Sequence, residues 1–299
     1  MKELEIFLAE PRGFCSGVVR AIALVEKLLE ETGAPVYVRH EIVHNRHVVE
    51  DLKARGVIFI DDWEEITQPD RPVIFSAHGV SKAVEAEAAA RGLKTYDATC
   101  PLVEKVHRNI RRFYEEGMEI VLIGQPHHAE VEGTAGQCPD PSQVHIISSA
   151  EEAEELALPA EREIGVVTQT TLAVDRTAAI IEVLRRRFPR LHLPPVSDIC
   201  YATTHRQQAV KALAARCPTV VIIGSANSSN SRHLRETALA AGAKTALLID
   251  DYRELDLQML ETPVGVSAGA SAPEHLVEEL LAFLQRHYDN VKIRHVKIN

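Results

Sequence analysis

Three cysteines open three similar stretches of this sequence: Cys15 in PRGFCSGVVRAIALVEKLL, Cys100 in DATCPLVEKVHRNIRRF and Cys200 in SDICYATTHRQQAVKAL. Each stands just before apolar residues at helical spacing, where exposed backbone N–H groups and the helix dipole favour a thiolate. Polar residues recur behind them. His44 lies 29 residues after Cys15, His128 lies 28 after Cys100, and Ser228 lies 28 after Cys200. A further set, His78, Thr170 and Ser271, follows the same cysteines by 63, 70 and 71 residues. A single cysteine before a helix is ordinarily a small buried apolar residue, but three in register point to one shared partner. Thiolates hold iron–sulfur clusters, and a cluster held by three of them leaves one iron open to substrate. Zinc is the rival metal. It would need ligands from three distant segments, because C-x-x-C pairs are absent. Cys138 in GQCPDP and Cys217 in AARCPTV lie outside the repeated frame, as a fourth ligand or, more simply, as packing residues.

The polar segments suit an anion. His44 in HEIVHNRHVVEDL, His78 in FSAHGVSKA and His128 in GQPHHAEVEGT each follow an apolar run, as does the Asn227–Ser231 cluster in VVIIGSANSSNS. Crevices at the ends of parallel strands commonly bind ligands, and imidazoles, hydroxyls and helix N-termini all donate hydrogen bonds to a diphosphate. A solvated turn is the alternative for the Ser/Asn cluster. Neither a Walker loop nor a GxGxxG fingerprint occurs, so a phosphate site here is unlike a nucleotide site.

These residues require strands and helices in alternation, the pattern of parallel α/β units. Apolar runs predict strands at Leu4–Ala9, Val36–Arg39, Val73–Ser76, Ile120–Ile123, Ile164–Thr168, Val220–Ile223, Ala246–Ile249 and Pro263–Ser267, with helices between them. Gly33, Gly92, Gly117 and Gly242 fall where helix ends need a left-handed residue, and Pro101 suits a first helical turn. Cutting at the cysteine-led helices gives three small pseudo-repeated α/β domains with largely parallel sheets: 17–99, 100–197 and 198–299, the last completed by residues 1–16. Pro194-Pro195 is the clearest boundary signal.

Composition narrows the class. With 299 residues, 45% of them hydrophobic, the chain can bury a core in each domain. No apolar run reaches the roughly 20 residues that span a bilayer, and MKELEIFLAEPRG lacks the order of a signal peptide. The expectation is a cytoplasmic protein without a membrane partner. Five widely spaced cysteines argue for reduced thiols or metal ligands rather than a disulfide framework, and a formal charge of −10 disfavours nucleic acid.

The set RGFCSGV, HEIVHNRHVV, SAHGVS, DATCPLV, HHAEVEGT, TQTTL, DICYATT, GSANSSNS and SAGASAP, in this order across nearly the whole chain, resembles the LytB family of 4-hydroxy-3-methylbut-2-enyl diphosphate reductases. The resemblance implies three domains around one [4Fe-4S] cluster, with Cys15, Cys100 and Cys200 as its three protein ligands and an open iron site. It also implies that His44, His78, His128, Ser228, Ser229, Asn230 and Ser271 surround the substrate, mainly its diphosphate. Glu130 corresponds to the acid that delivers protons, and Thr170 to a hydroxyl that places substrate and relays a proton. The implied reaction is reductive dehydroxylation of an allylic alcohol diphosphate to isopentenyl and dimethylallyl diphosphates, the last step of the methylerythritol phosphate route. Electrons would come from reduced ferredoxin or flavodoxin, since the chain carries no flavin or nicotinamide motif.

Three residues depart from the family pattern: Gln125 for a histidine, Ala129 for a proline, and His205 for an asparagine whose hydrogen bond lies just behind the site. The nucleic-acid-binding extension of some relatives is absent, so no RNA role is expected. An iron–sulfur hydro-lyase, which consumes no electrons, and a cluster-bearing redox sensor remain as alternatives.

Overall fold

The computed structural model describes residues 3–298; Met1, Lys2 and Asn299, at the ends of the third predicted domain, lie outside the described residues. In chain order the strands are β1 (Glu3–Glu10), β2 (Val36–Arg39), β3 (Val57–Ile60), β4 (Val73–Phe75), β5 (Thr95–Asp97), β6 (Glu119–Ile123), β7 (Val144–Ile147), β8 (Ile164–Thr168), β9 (Leu191–His192), β10 (Thr219–Ile223), β11 (Thr245–Ile249), β12 (Val264–Ala268) and β13 (Asn290–Lys297). The helices are α1 (Ser16–Thr32), α2 (Arg46–Ala54), α3 (Lys82–Ala90), α4 (Pro101–Glu115), α5 (Ala129–Ala135), α6 (Ala150–Glu155), α7 (Val174–Arg187), α8 (Tyr201–Ala214), α9 (Ser229–Ala240) and α10 (Glu274–His287).

The strands form three sheets whose orders repeat: β3-β2-β4-β5, β7-β6-β8-β9 and β11-β10-β12-β1-β13. Every pairing is parallel. In each sheet the fourth strand, β5, β9 or β1, is the one that runs on to a cysteine. The N-terminal strand lies between β12 and β13, with Ile6 opposite Val264 and Ile293.

The chain divides into two compact units. One comprises residues 1–16, 44–49 and 201–299, and the other residues 17–43 and 50–200. In the first, the five-stranded sheet is covered on both faces, and the period-two alternation of a strand decides which residue meets which helix. Val221, Ile223, Val264 and Val266 pack with Leu276, Val277, Leu280 and Leu284 of α10. Val220 and Ile222 face the other way, onto Val210 and Leu213 of α8 and Leu234 of α9. The second unit repeats this at β6 and β8: Val121, Ile123 and Val166 pack with Ile180 and Leu184 of α7, while Ile120, Leu122 and Val167 pack with Val106, Ile110 and Phe113 of α4. Its other sheet buries Tyr37, Val73 and Phe75 with Ala88 of α3 and Trp63. Left-handed glycines close helices at Gly33, Gly92, Gly117 and Gly242, with φ of +71°, +69°, +76° and +104°.

Candidate active site

In the unit formed by residues 17–43 and 50–200, six of the predicted site residues sit at strand ends and helix starts. Cys100 is the N-cap of α4, where Pro101 occupies the first turn without losing a bond that the helix would use. The Cys100 carbonyl accepts the Glu104 N–H at 2.9 Å, and its own N–H donates to the Ala77 carbonyl at 3.0 Å. Cys200, just before α8, donates its N–H to the Thr170 carbonyl, also at 3.0 Å. Both cysteines are half-buried and in no disulfide.

His128 caps α5 in place of the usual Ser, Thr, Asn or Asp, its Nδ1 accepting the Glu130 N–H at 3.1 Å. That bond puts the proton of a neutral imidazole on Nε2. A turn precedes the cap, closed by the His128 N–H on the Gln125 carbonyl at 3.2 Å, with His127 at φ +63°. The His78 ring stands edge-on to that of His128, centroids 5.8 Å apart, and its Nδ1 lies 3.2 Å from Ser76 Oγ.

Glu130 is 2% exposed. Its Oε1 accepts the Thr170 N–H at 2.6 Å and its Oε2 accepts the Thr170 hydroxyl at 3.1 Å. Burial pushes the carboxyl up to about 7; the two Thr170 bonds oppose the rise, and the negative charge of Asp198 adds to it. A carboxylic acid in that range can hold a proton at neutral pH and give it up on demand. Asp198, the first residue of DICYATT but not among the predicted site residues, is buried nearby. It accepts the Thr168 N–H at 3.3 Å and the Asn109 amide at 2.9 Å, beside Lys105 at 3.3 Å, and burial raises its own pKa.

The unit formed by residues 1–16, 44–49 and 201–299 holds the other six. The Cys15 N–H donates to the Ala270 carbonyl at 3.0 Å, so all three cysteines are anchored by the same kind of main-chain bond. Thr170 supplies that carbonyl itself, whereas His78 and Ser271 each follow the residue that does. Ser228 caps α9, accepting the Ser231 N–H at 3.3 Å and the Ser231 hydroxyl at 3.2 Å. Ser229 lies 3.4 Å from His233 Nδ1. The Asn230 Oδ1 accepts the Ala270 N–H at 2.8 Å, which leaves its amide nitrogen as the donor. The Ser271 hydroxyl donates to the His44 carbonyl at 2.8 Å.

His44 differs from His128 and Ser228 in one respect: the helix cap is its neighbour Asn45, whose Oδ1 accepts the Val48 N–H at 3.1 Å. Asn45 is fully buried, and its amide nitrogen has no partner among the described residues. The segment is held to the third sheet by the Arg46 N–H on Ser225 Oγ at 2.9 Å, a hydroxyl that in turn donates to Asp250. The Arg46 guanidinium lies 3.5–3.7 Å from Asp250, Asp251 and Glu254.

Cys138 and Cys217 are buried; burial raises the thiol pKa of both, that of Cys217 to about 11, which suits packing rather than ligation. Among the described residues, no three His, Cys, Asp or Glu side chains converge on one point as a mononuclear metal site would need. A cluster carries each thiolate on a different iron and does not demand that convergence. The donors fit such a group in kind, being three half-buried cysteines at helix starts, none of them in a disulfide. Of the departures, the Gln125 N–H donates to Gln169 Oε1 at 3.0 Å and Ala129 opens α5. His205 is exposed on α8, beside the Tyr201 ring at 6.2 Å between centroids.

Three parallel sheets in one repeated order, with a cysteine after the fourth strand of each, define a three-sheet parallel α/β protein. Residues 6–285 match the LytB protein family, and the chain belongs to it. It is 53% identical over 288 residues to the 4-hydroxy-3-methylbut-2-enyl diphosphate reductase of Phenylobacterium zucineum, covering 96% of this chain and 91% of that protein. A structure of E-1-hydroxy-2-methyl-but-2-enyl-4-diphosphate reductase from Plasmodium falciparum is similar at TM-score 0.94 and 35% identity, covering 99% of this chain and 92% of that one. A structure of (E)-4-hydroxy-3-methyl-but-2-enyl diphosphate reductase, described as the terminal enzyme of the non-mevalonate pathway, is similar at TM-score 0.66 and 32% identity over 96% of this chain and all of that one.

Proposed function

We propose that the protein reduces (E)-4-hydroxy-3-methylbut-2-enyl diphosphate to isopentenyl and dimethylallyl diphosphates, closing the methylerythritol phosphate route to isoprenoids. The observation that carries this reading is Glu130: a buried acid with its pKa near 7, gripped through both oxygens by Thr170, whose carbonyl holds the N–H of Cys200. A [4Fe-4S] cluster on the thiolates of Cys15, Cys100 and Cys200 would supply single electrons and an open, Lewis-acidic iron. The chain's own residues do the rest. Two electrons and two protons replace the allylic C–O bond with C–H and release water. Glu130 delivers the proton that lets hydroxide, a poor leaving group, depart as water. Thr170 fixes the direction of that delivery.

The diphosphate is held by His44, His78, His128, Ser228, Ser229, Asn230 and Ser271. His128 donates from Nε2 and Asn230 from its amide, because each uses its acceptor atom on the backbone. Binding energy gathered at the diphosphate orients the reacting end, which is remote from it. The electrons come from reduced ferredoxin or flavodoxin. Five cysteines in no disulfide suit a reducing cytoplasm, and among the described residues no helix is long and apolar enough to cross a membrane.

The test is anaerobic turnover of reconstituted protein with a chemical reductant. Both isomeric diphosphates should form with consumption of two electrons each. Cys15→Ser, Cys100→Ser and Cys200→Ser should each impair the cluster, and Cys138→Ser and Cys217→Ser should leave it intact. Loss of water without electron uptake would instead define a hydro-lyase, and binding without turnover a sensor.

A further inference from the structure

The carboxamide of Gln137 is 2% exposed and ties three elements together. Its Nε2 donates to the Val80 carbonyl at 2.7 Å and to the Gly133 carbonyl at 3.2 Å, while its Oε1 accepts from the Arg111 guanidinium at 2.6 Å. Val80 belongs to the turn that carries His78, Gly133 to α5, which opens at His128 and Glu130, and Arg111 to α4, headed by Cys100. The contact beneath is close. A Cβ on Gly133 would sit 2.9 Å from the Gly79 carbonyl oxygen, and one on Gly136 would sit 3.1 Å from the Ser81 Cα. The Lys82 N–H also donates to the Gly136 carbonyl at 3.0 Å.

Residues 76–81, between β4 and α3, form no strand or helix and pass through Gly79 at φ +76°. Their placement therefore depends on bonds made to them from outside. From the α4 side, the ring of buried His107 meets the same turn, with Cε1 2.6 Å from where a Gly79 Cβ would be. An apolar side chain could fill the space of Gln137, but it would impose no direction on either carbonyl. Buried hydrogen bonds of this kind are modest in net stability and costly to leave half-made.

We propose that Gln137 is a positioning residue for diphosphate recognition: by holding the His78 turn against α5 it sets the 5.8 Å spacing of the His78 and His128 rings. This rests on reading those two histidines as diphosphate donors. Gln137 acts through His78 and touches no substrate itself.

Gln137→Met keeps the length of the side chain and removes all three bonds. On anaerobic samples of equal cluster content, KM and the substrate dissociation constant should rise about tenfold while kcat changes less than about threefold, the signature of lost uniform binding. His78→Ala alone should weaken binding by about tenfold or more, and adding Gln137→Met to it should cost less than a further twofold, because the two changes remove one interaction. Unchanged affinity in Gln137→Met, or effects that multiply in the double variant, would overturn the proposal even if the melting temperature falls. Should Gln137→Met not fold, Arg111→Met frees only the Oε1 side, and the same lack of additivity with His78→Ala is required of it. Normal binding by His78→Ala would remove the reading of His78 as a donor and this proposal with it; loss there with none at Gln137 or Arg111 removes the proposal alone.

Discussion

Replacing Glu130 by glutamine should change how stability depends on pH, whether or not the cluster turns over. The carboxyl is held at about 7 in the folded protein against an ordinary 4.5, chiefly because burial disfavours the anion. Below pH 4.5 both folded and unfolded chains carry the proton, and Glu130 imposes no electrostatic penalty. Between 4.5 and 7 the unfolded chain has released it while the folded chain retains it, so raising the pH favours unfolding. Above 7 both are ionised and the loss is complete. The displacement from 4.5 to about 7, at about 1.4 kcal/mol per pH unit, amounts to about 3 kcal/mol. Roughly 2.5 kcal/mol of it falls between pH 5 and pH 8.

Glutamine keeps the shape and cannot titrate. The difference in unfolding free energy, wild type minus Glu130→Gln, should fall by about 2.5 kcal/mol over that range. Anaerobic denaturant titrations of both proteins at the same cluster content measure it. All other titrating groups are common to both, so their contributions largely cancel. A difference that stays flat to within about 0.5 kcal/mol would refute a buried, proton-holding Glu130. Turnover should show the same acid, with kcat of wild type declining as pH rises through about 7.

Thr170→Val removes the hydroxyl bond at 3.1 Å but not the N–H bond at 2.6 Å. Since that hydroxyl stabilises the anion, the Glu130 pKa should rise and the declining limb of kcat should move to higher pH; a limb moving to lower pH would contradict the geometry. Gly269→Ala would place a Cβ 2.1 Å from the buried Ser231 hydroxyl, which bonds the Ser228 cap. We expect a stability loss of about 1–3 kcal/mol with weakened diphosphate affinity, read from melting temperature and anaerobic titration, and a wild-type melting temperature would show that Ser231 yields freely.

The eight strands predicted from apolar runs are all present, and most of them lie inside their sheets. Central strands of parallel sheets are covered on both faces and so read as continuous apolar runs, as in Val220–Ile223. The strands not foreseen, β3, β5, β7, β9 and β13, are all sheet edges. An edge strand buries less and carries charge: β5 is TYD, and β13, NVKIRHVK, has three basic residues that pair with Glu3, Glu5 and Glu10 of β1. Motif residues were legible by type and spacing, but their bonding partners were not. Asp198 reaches Asn109 across 89 residues, and Gln137 reaches Val80 across 57. No local pattern encodes such separations. The 29-residue spacing of His44, against 28 for His128 and Ser228, conceals a cap displaced to Asn45.

Thr170 shows what the third polar set is attached to. Its N–H and hydroxyl both go to Glu130, and its carbonyl goes to the N–H of Cys200. One residue therefore orients the acid and the cysteine-bearing segment together. Ala270 repeats the device with different partners, its carbonyl on the Cys15 N–H and its own N–H on Asn230 Oδ1. At Ala77 the carbonyl holds the Cys100 N–H, and the next residue is His78. Each of Cys15, Cys100 and Cys200 is thus linked by a main-chain bond to a peptide that carries or adjoins one of the polar residues proposed to meet substrate. Because each such bond has one favoured length and direction, displacing a cysteine backbone must displace its polar neighbour as well. The attachment joins each of these polar residues to the cysteine of another repeat, the His78 turn to Cys100, Thr170 to Cys200 and the Ser271 turn to Cys15, so it is a tertiary link that the spacing behind a residue's own cysteine does not encode.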